Sequence, residues 1–449
     1  MRTRLVASLA VVAVLGVACG NSGGDDAAEG AGATAEAGTG ATGAATDGSG
    51  GAEEFVPVDA PGVTDDEIRV TTITSTTNPL GGKYEELNDG LEAYFAKVSS
   101  EGGIHGRDLV VVNQRDDQVA KNQQEVQAAL SQDDPFAVAV GSLLFTGAPL
   151  LVEEGVPTFG WNIGPEWNHE NMFGNEGALS LDTPDPITAW PIRELGAEQI
   201  AVLGYGVSES SVRCAERNRT TMEQWPVAEV AFFDASIPFG VTDLSAQVAK
   251  MKEAGVDVVT TCMDLNGVFT LAKEMDKQDL DAVQIHYNAY DQEFMAKNGE
   301  FFAGDLVIPR FLAFEREPRL PEQEEFFRWM EEIGKTPVEL SMIGWIAGRL
   351  LHEGLRRAGP DFDRQKVIDA LNRVTDWTAG GILAPIDWTT GHVSADDDIT
   401  VAGESCVNFT RVEGGELVPA FGEPGKPWVC LPREAQSMDE AVYKSFAEG

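Results

Sequence analysis

Hydrophobic residues recur in two alternating patterns from Glu67 onward. Short β-branched runs, the first from Ile68 to Thr74, predict strands, whereas apolar residues spaced three or four positions apart, first from Tyr84 to Val98, predict helices. Further strands are predicted at 109–112, 136–140 and 156–159, with helices at 119–130 and 148–154. Strands that alternate with helices of this length indicate parallel βαβ units.

A second series of the same kind follows the proline-rich stretch Thr183 to Pro186. Strands are predicted at 200–203, 229–233, 256–261, 282–286 and 303–314, and helices at 210–224, 244–254, 268–275, 322–333, 338–358 and 364–374. The chain from 381 to 429 is predicted to form short strands and loops. Two series in succession predict an α/β protein with two lobes, each built on a parallel sheet.

The N-terminus has a different pattern. An apolar run, Leu5 to Ala18, follows basic residues and ends in small residues at Cys19. This arrangement predicts a lipoprotein signal peptide over residues 1–18 and a lipid on Cys19, which would hold the protein at the outer face of a bacterial cell membrane. An ordinary signal peptide with a bystander cysteine is the alternative. The run is shorter than the roughly 18 to 20 apolar residues that cross a bilayer.

Composition narrows the class of protein further. Residues 19–65, rich in Gly, Ala and acidic side chains, predict a flexible linker. The 449-residue chain is 43% hydrophobic and has a net charge of −41. Such acidity argues against nucleic acid as a partner, because that affinity comes mainly from basic residues meeting phosphates. It also argues against an anionic membrane surface, so the lipid alone would attach the protein to the membrane.

Four cysteines remain if Cys19 carries lipid: Cys214, Cys262, Cys406 and Cys430. An even number in an exported chain indicates disulfides. Three pairings are possible, and local organisation favours Cys214 with Cys262 and Cys406 with Cys430. Zinc binding is the competing interpretation, although none of these cysteines lie two to four positions apart.

Motifs for catalysis and cofactor binding do not emerge from the sequence. No glycine fingerprint follows a predicted strand, and no phosphate-binding loop or His-Glu-x-x-His pattern is present. We therefore expect no cofactor, no metal and no catalytic residue, and interpret the scattered histidines as structural or surface residues: His105, His169, His286, His352 and His392. An exported hydrolase is an alternative, because Ser142 and Ser208 follow predicted strands, yet neither lies in a Gly-x-Ser-x-Gly elbow.

Several short motifs carry a resemblance to a known family. They are Glu101 to Arg107, Asp116-Asp117 followed by a helix with Asn122, Val138 to Ser142, and Glu154 to Pro157. Together, in this order, they resemble type I periplasmic binding proteins of the branched-chain amino acid receptor group, which feeds ABC transporters. The resemblance covers roughly residues 66 to 430.

The resemblance implies two Rossmann-like lobes joined by three crossovers. It implies a first lobe of residues 66–182 and 311–384, a second lobe of 183–310 and 385–435, and a C-terminal tail of 436–449. It further implies a ligand bound between the lobes, at the carboxyl ends of the strands, where open α/β sheets bind ligands. The protein is expected to be a monomer.

Carried onto this sequence, the resemblance implies a set of ligand-binding residues, and strand ends alone select the same segments. In the first lobe they are Thr77, Asn78, Leu144, Phe145, Thr146, Trp161 and Asn162; in the second they are Tyr205, Ser208, Asp264, Asn266, Tyr287, Tyr290 and Asp291. Thr146 and Asn162 could bind a carboxylate, and Asp264 or Asp291 an ammonium group. Lobe-core packing is the alternative for Tyr205 and Tyr287, as is helix capping for Asp264.

The sequence departs from the amino acid receptors in two of these loops. Their serine- and threonine-rich loop is here Leu143-Leu144-Phe145-Thr146, and a large aromatic residue, Trp161, follows the fourth strand. These differences favour a small organic solute with an apolar or aromatic part and one polar end. The predicted function is capture of this solute for an ABC transporter permease, without catalysis; a ligand sensor coupled to a signalling partner is the alternative.

Overall fold

The computed structural model describes residues 56–447 of the protein. Its first sheet contains five parallel strands in the order β2-β1-β3-β4-β5. The strands are β1 (Glu67–Thr74), β2 (Asp108–Asp116), β3 (Ala137–Gly141), β4 (Thr158–Gly160) and β5 (Met172–Gly174), with helices α1 (Glu86–Ser100), α2 (Asn122–Ala128) and α3 (Ala148–Glu153) between them. The β3 strand is buried along its whole length, as expected for a sheet covered on both faces.

The second sheet has seven strands in the order β13-β12-β10-β9-β8-β6-β7. They are β6 (Gln199–Tyr205), β7 (Glu229–Ile237), β8 (Val258–Cys262), β9 (Val283–His286), β10 (Leu306–Val307), β12 (Phe409–Glu413) and β13 (Glu416–Ala420). The last two are antiparallel and extend one edge of an otherwise parallel sheet. Helix α4 (Pro186–Glu194) leads from the first sheet into β6. Helices α5 (Glu209–Gln224), α6 (Ser245–Glu253), α7 (Leu265–Lys277) and α8 (Gln292–Asn298) connect the parallel strands.

Three later helices pack on the first sheet and its helices: α9 (Pro321–Glu332), α10 (Glu339–Ala358) and α11 (Arg364–Leu371). Helix α10 crosses α1 with the two backbones in contact. A Cβ atom on Gly90 would lie 1.6 Å from the carbonyl oxygen of Ser341, and one on Gly344 would lie 1.9 Å from that of Leu87. Only glycine allows this approach, which fixes the first element of the lobe against the returning chain.

A third, antiparallel sheet lies near the C-terminus in the order β11-β14-β15. Its strands are β11 (Glu404–Val407), β14 (Trp428–Pro432) and β15 (Val442–Lys444), and the short helix α12 (Ile399–Ala402) precedes it. β15 lies within the stretch 436–449 that was expected to be a tail. The predicted class, α/β with two lobes and mainly parallel sheets, is confirmed.

Two element predictions were wrong in extent. The strand expected at 303–314 contains only β10, because Pro309 has no amide to donate and the chain then leaves the sheet, with the Leu312 amide donating to Ile382. The helix expected at 119–130 begins only at Asn122, since Gln118 and Val119 have φ angles of 47° and 64°. β5, α4 and α8 were not predicted; α4 contains Pro191, which interrupts the helical pattern.

Both favoured disulfides are confirmed. Cys214 on α5 is bonded to Cys262 at the end of β8. Cys406 and Cys430 are bonded across directly paired positions of β11 and β14. All four sulfurs are therefore consumed, which leaves none of them as a thiolate ligand for zinc.

The predicted signal peptide, Cys19 and most of the linker lie outside the described residues. Within residues 56–447, no helix combines the length and the apolar character that a bilayer crossing requires.

Candidate functional site

A cleft of about 940 Å³ lies between the two sheets. Strand ends supply much of its lining: Trp161 follows β4, Tyr205 ends β6 and Asp264 follows β8. Parallel strands bring their carboxyl ends to one edge of a sheet, so residues distant in sequence meet here. The volume is in the range of small-molecule sites in proteins.

The first-lobe wall of the cleft consists of Tyr84, Leu143, Trp161, Asn162 and Ile163. Trp161 stacks on Tyr84 with ring centroids 5.4 Å apart and an angle of 28° between the planes. The backbone amide of Asn162 donates to Asn175 at 2.9 Å, and its side-chain amide donates to the Gly177 carbonyl, also at 2.9 Å. This wall offers a flat apolar surface supported by ring packing.

The second-lobe wall consists of Tyr205, Ser208, Asp264, Asn266, Tyr287 and Asp291. Three of these residues begin helices. Ser208, Asp264 and Asp291 are the N-caps of α5, α7 and α8, and each accepts a hydrogen bond from a backbone amide of its helix. The capping alternative for Asp264 therefore holds alongside its place in the cleft. Because a cap must sit where its helix starts, these side chains are held at the strand ends.

The three tyrosines of the second lobe each contact other side chains of the protein. The Tyr205 hydroxyl donates to Asp264, and burial together with that carboxylate raises the pKa of Tyr205. The Tyr287 ring is covered by the guanidinium group of Arg310 at 5.7 Å. Tyr290 borders the cleft but is only 2% exposed, and its hydroxyl donates to Glu315 at 2.6 Å. Tyr205 and Tyr290 thus also belong to the lobe core.

Five residues expected to bind ligand lie outside the cleft lining. The Asn78 side chain donates to the carbonyls of Ser75 and Gly82 and so holds its own loop. Phe145 is buried against Trp167, with ring centroids 5.3 Å apart. The others are Thr77 and Thr146, which are exposed, and Leu144, which is partly buried.

Charged residues that strand-end reasoning missed also line the cleft: Glu86, Arg217, Arg310 and Glu339. Arg217 lies in the middle of α5 and Glu339 opens α10, so neither follows a strand. Arg310 does follow a strand, β10, but the predicted strand at 303–314 included this residue, so it was not recognised as a strand-end position. Tyr84 was missed as well, since it was assigned to the start of the first helix.

Burial sets the ionisation of two cleft carboxyl groups. It raises the pKa of Glu339 to about 8, against the opposing effects of Arg310 and the Tyr290 amide. It raises the pKa of Glu86 to about 7, against the effect of Lys83, whose ammonium nitrogen lies 3.5 Å away. At neutral pH, Glu339 is therefore mostly protonated. The guanidinium group of Arg310 pairs with Glu176 at 3.3 Å.

A hydrogen bond near Asn266 joins the two lobes beside the cleft. The side-chain amide of Asn266, at the start of α7, donates to the carbonyl oxygen of Leu80 in the loop after β1. Both residues line the cleft, so the two lobes are in contact at its edge. Such geometry encloses a small molecule and suits binding with burial.

Comparisons with known proteins agree with this architecture. A family model described as periplasmic binding protein matches residues 67–416. No curated protein sequence matches the chain. Among solved structures, a leucine-binding protein from Thermotoga maritima is similar with a TM-score of 0.65 and 16% identity over 79% of this chain and 98% of that chain.

Two further structures are similar to the same degree. A branched-chain amino acid ABC transporter protein from Thermus thermophilus, with bound valine, has a TM-score of 0.65 and 16% identity over 79% of this chain and 96% of that one. A solute-binding protein from R. palustris in complex with benzoate has a TM-score of 0.64 and 17% identity over 79% and 95%. At these identities the likeness concerns the fold. Since the family model spans most of the chain, the protein belongs to the type I periplasmic binding protein family.

Proposed function

We propose that this protein captures a small organic solute in the cleft and delivers it to an ABC transporter permease. The observation that carries the proposal is the cleft of about 940 Å³ at the carboxyl ends of two parallel sheets, with an aromatic wall on one side and polar caps on the other. The solute has an apolar or aromatic part, which would lie against Trp161, and one polar end. Two of the similar solved structures contain valine and benzoate, which have this general form.

Binding without catalysis fits the two strand-end serines. The Ser208 hydroxyl caps α5 by accepting from the Ser211 amide. Ser142 is buried, and its hydroxyl bonds to the Ile73 carbonyl and the Asn122 amide. Both hydroxyl groups thus have structural partners, which supports the interpretation that neither is a nucleophile.

A thermal-shift panel tests the binding proposal. Amino acids, aromatic acids, their amides and urea are each added to the full chain, and the melting temperature is recorded. A specific ligand stabilises the native state by RT ln(1 + [L]/Kd), about 2.7 kcal/mol at 100 times the Kd. A panel in which no compound from any class changes the melting temperature would contradict capture of a small organic solute.

We further propose that the two lobes comprise residues 66–182 with 311–384 and residues 183–310 with 385–435, and that they close on the ligand. Strands of the first sheet fall between 67 and 174, and α10 packs against that sheet, which supports this division. Small-angle scattering with and without ligand checks closure: the radius of gyration should fall on binding. An unchanged radius would contradict it.

Attachment at Cys19 by lipid, after export, is the remaining part of the proposal. Periplasmic binding proteins act outside the cytoplasm, which supports export of this protein. The basic residues, apolar run and small residues before Cys19 support lipid attachment. Mass spectrometry of the mature N-terminus should find a diacylated cysteine, and Cys19→Ser should release the protein from membranes. Cleavage elsewhere with an unmodified Cys19 would support the ordinary signal peptide instead.

A further inference from the structure

Arg217 has an unusual position in the wall of the cleft. It lies on α5, two turns beyond the Ser208 cap, and is partly buried. One terminal nitrogen donates to the Ser180 carbonyl at 2.7 Å. Its Nε atom is fully buried and has no hydrogen-bond partner. Within residues 56–447, no carboxylate lies within 4.0 Å of this guanidinium group.

The carboxylates around Arg217 have other cationic partners. Asp185 has the largest electrostatic effect on Arg217 of any carboxylate, but its carboxylate pairs with Arg433 at 3.0 Å and also accepts from the Ser405 hydroxyl at 2.8 Å. Glu176 pairs with Arg310 at 3.3 Å. Asp185 and Glu176 therefore share this part of the cleft with three guanidinium groups. These are the groups of Arg217, Arg310 and Arg433.

The neighbouring charges act on the pKa of Arg217 in opposite senses. Burial is the main cause that lowers its pKa; Asp185 opposes this effect, whereas Arg310 and Arg433 add to it. A buried cation without a direct counter-charge is costly unless something else pairs with it.

We propose that the polar end of the solute is a carboxylate, bound by the guanidinium group of Arg217 with Arg310 beside it. The inference rests on the proposed function and specifies its ligand class: an organic acid whose apolar part extends toward the first-lobe wall. Arg217 lines the cleft, and it suits a carboxylate because guanidinium and carboxylate groups form strong charge-assisted hydrogen bonds. A ligand carboxylate would supply the counter-charge that Arg217 lacks among the described residues.

The test compares acids with amides that have the same apolar part and differ only in the polar end. Benzoate, phenylacetate and 4-methylpentanoate are titrated into the full chain by calorimetry beside the neutral amides of the same acids, with leucine as the zwitterion. The acids should bind at least 10-fold more tightly than their amides. Arg217→Met, which keeps the apolar stem, should weaken acid binding on the order of 30-fold or more, because it removes one partner of a buried charge pair.

Two further variants control for folding. Arg219→Met lies two positions away on the same helix, outside the cleft lining, where Arg219 pairs with Glu216 at 2.8 Å. It should leave acid affinity unchanged. Arg217→Lys keeps the charge and should retain the preference for acids over amides with reduced affinity. Without ligand, Arg217→Met should melt no lower than Arg219→Met, whereas a purely structural Arg217 would make it melt lower.

The outcomes separate the two proposals. Amides that bind as tightly as the acids, or acid affinity that survives in Arg217→Met, would overturn the carboxylate inference while leaving solute capture intact. Failure of the three acids to bind would also overturn it. Failure of acids, amides and leucine together would count against both proposals.

Discussion

The first-lobe wall of the cleft is held by packed aromatic rings, whereas the second-lobe wall is held by helix caps and charges. Trp161 and Tyr84 stack, and Phe145 packs against Trp167 in a separate core cluster of the same lobe. Opposite, Ser208, Asp264 and Asp291 begin three helices. One wall can therefore cover the apolar part of a ligand, and the other can present polar groups at fixed positions.

The difference matters because the two kinds of support respond differently to mutation. A buried ring removed from the first lobe leaves a cavity, so stability falls steeply. A cap removed from the second lobe loses hydrogen bonds to a helix that is otherwise intact. Five substitutions test this contrast.

Phe145→Ala should have the largest effect, and the effect should be on stability. Phe145 is 4% exposed and packs against Trp167. Its removal should lower the free energy of unfolding by about 3 to 5 kcal/mol, measured by urea denaturation. Ligand affinity, measured well below the transition, should stay unchanged. Lost affinity with unchanged stability would return Phe145 to the ligand site.

Trp161→Ala should act mainly on binding. Its ring borders the cleft and is 9% exposed. We expect a loss on the order of 2 kcal/mol in binding free energy, since buried aromatic residues dominate such sites. Calorimetry on the folded variant measures this, with Phe145→Ala as the comparison for any general effect of destabilisation. Wild-type affinity would mean that the ligand does not touch this wall.

Asp264→Ala should weaken both stability and binding to a moderate degree. The carboxylate accepts from the amides of Asn266 and Gly267 and from the Tyr205 hydroxyl. Loss of a cap costs about 1 to 2 kcal/mol of unfolding free energy. Asp363→Ala is the matched control, because Asp363 caps α11 outside the cleft lining. It should lower stability alone, and equal affinity in both variants would remove Asp264 from the ligand site.

Glu339→Gln should change the dependence of stability on pH. Burial raises the pKa of Glu339 to about 8, so the native state keeps a proton that the unfolded chain releases near its ordinary value of 4.5. Stability should therefore fall as pH rises between these values, and remain lower above them. The melting temperature of the variant minus that of wild type should be larger at pH 9 than at pH 5, by about 2 °C or more. Exposed Glu332→Gln should give the wild-type slope.

Thr146→Ala should have the smallest effect. Thr146 is exposed on the loop after β3 and lies outside the cleft lining. Stability and affinity should both stay within about 0.5 kcal/mol of wild type, as for most surface substitutions. A clear loss of affinity would show that the loop reaches the ligand and that the first-lobe wall also contributes a hydroxyl group.

Strand-end reasoning from the sequence predicted the second-lobe wall better than the first. Tyr205, Ser208, Asp264 and Tyr287 all line the cleft, because each strand runs directly into a capped helix. In the first lobe, the loop after β3 precedes a helix without a side-chain cap. The apolar Phe145 then turns into the core, and hydrophobic burial decides the path of the loop.

The sequence by itself determined the alternation of strands and helices, and local organisation among the cysteines pointed to the correct pairing. These features depend on local pattern and spacing, which a linear reading preserves. Only the tertiary structure brought Tyr84 onto Trp161, and Arg217 beside Arg310 and Asp185. Those neighbours come from elements far apart in the chain, so their contacts, and the charge left without a partner, follow from packing rather than from any local pattern.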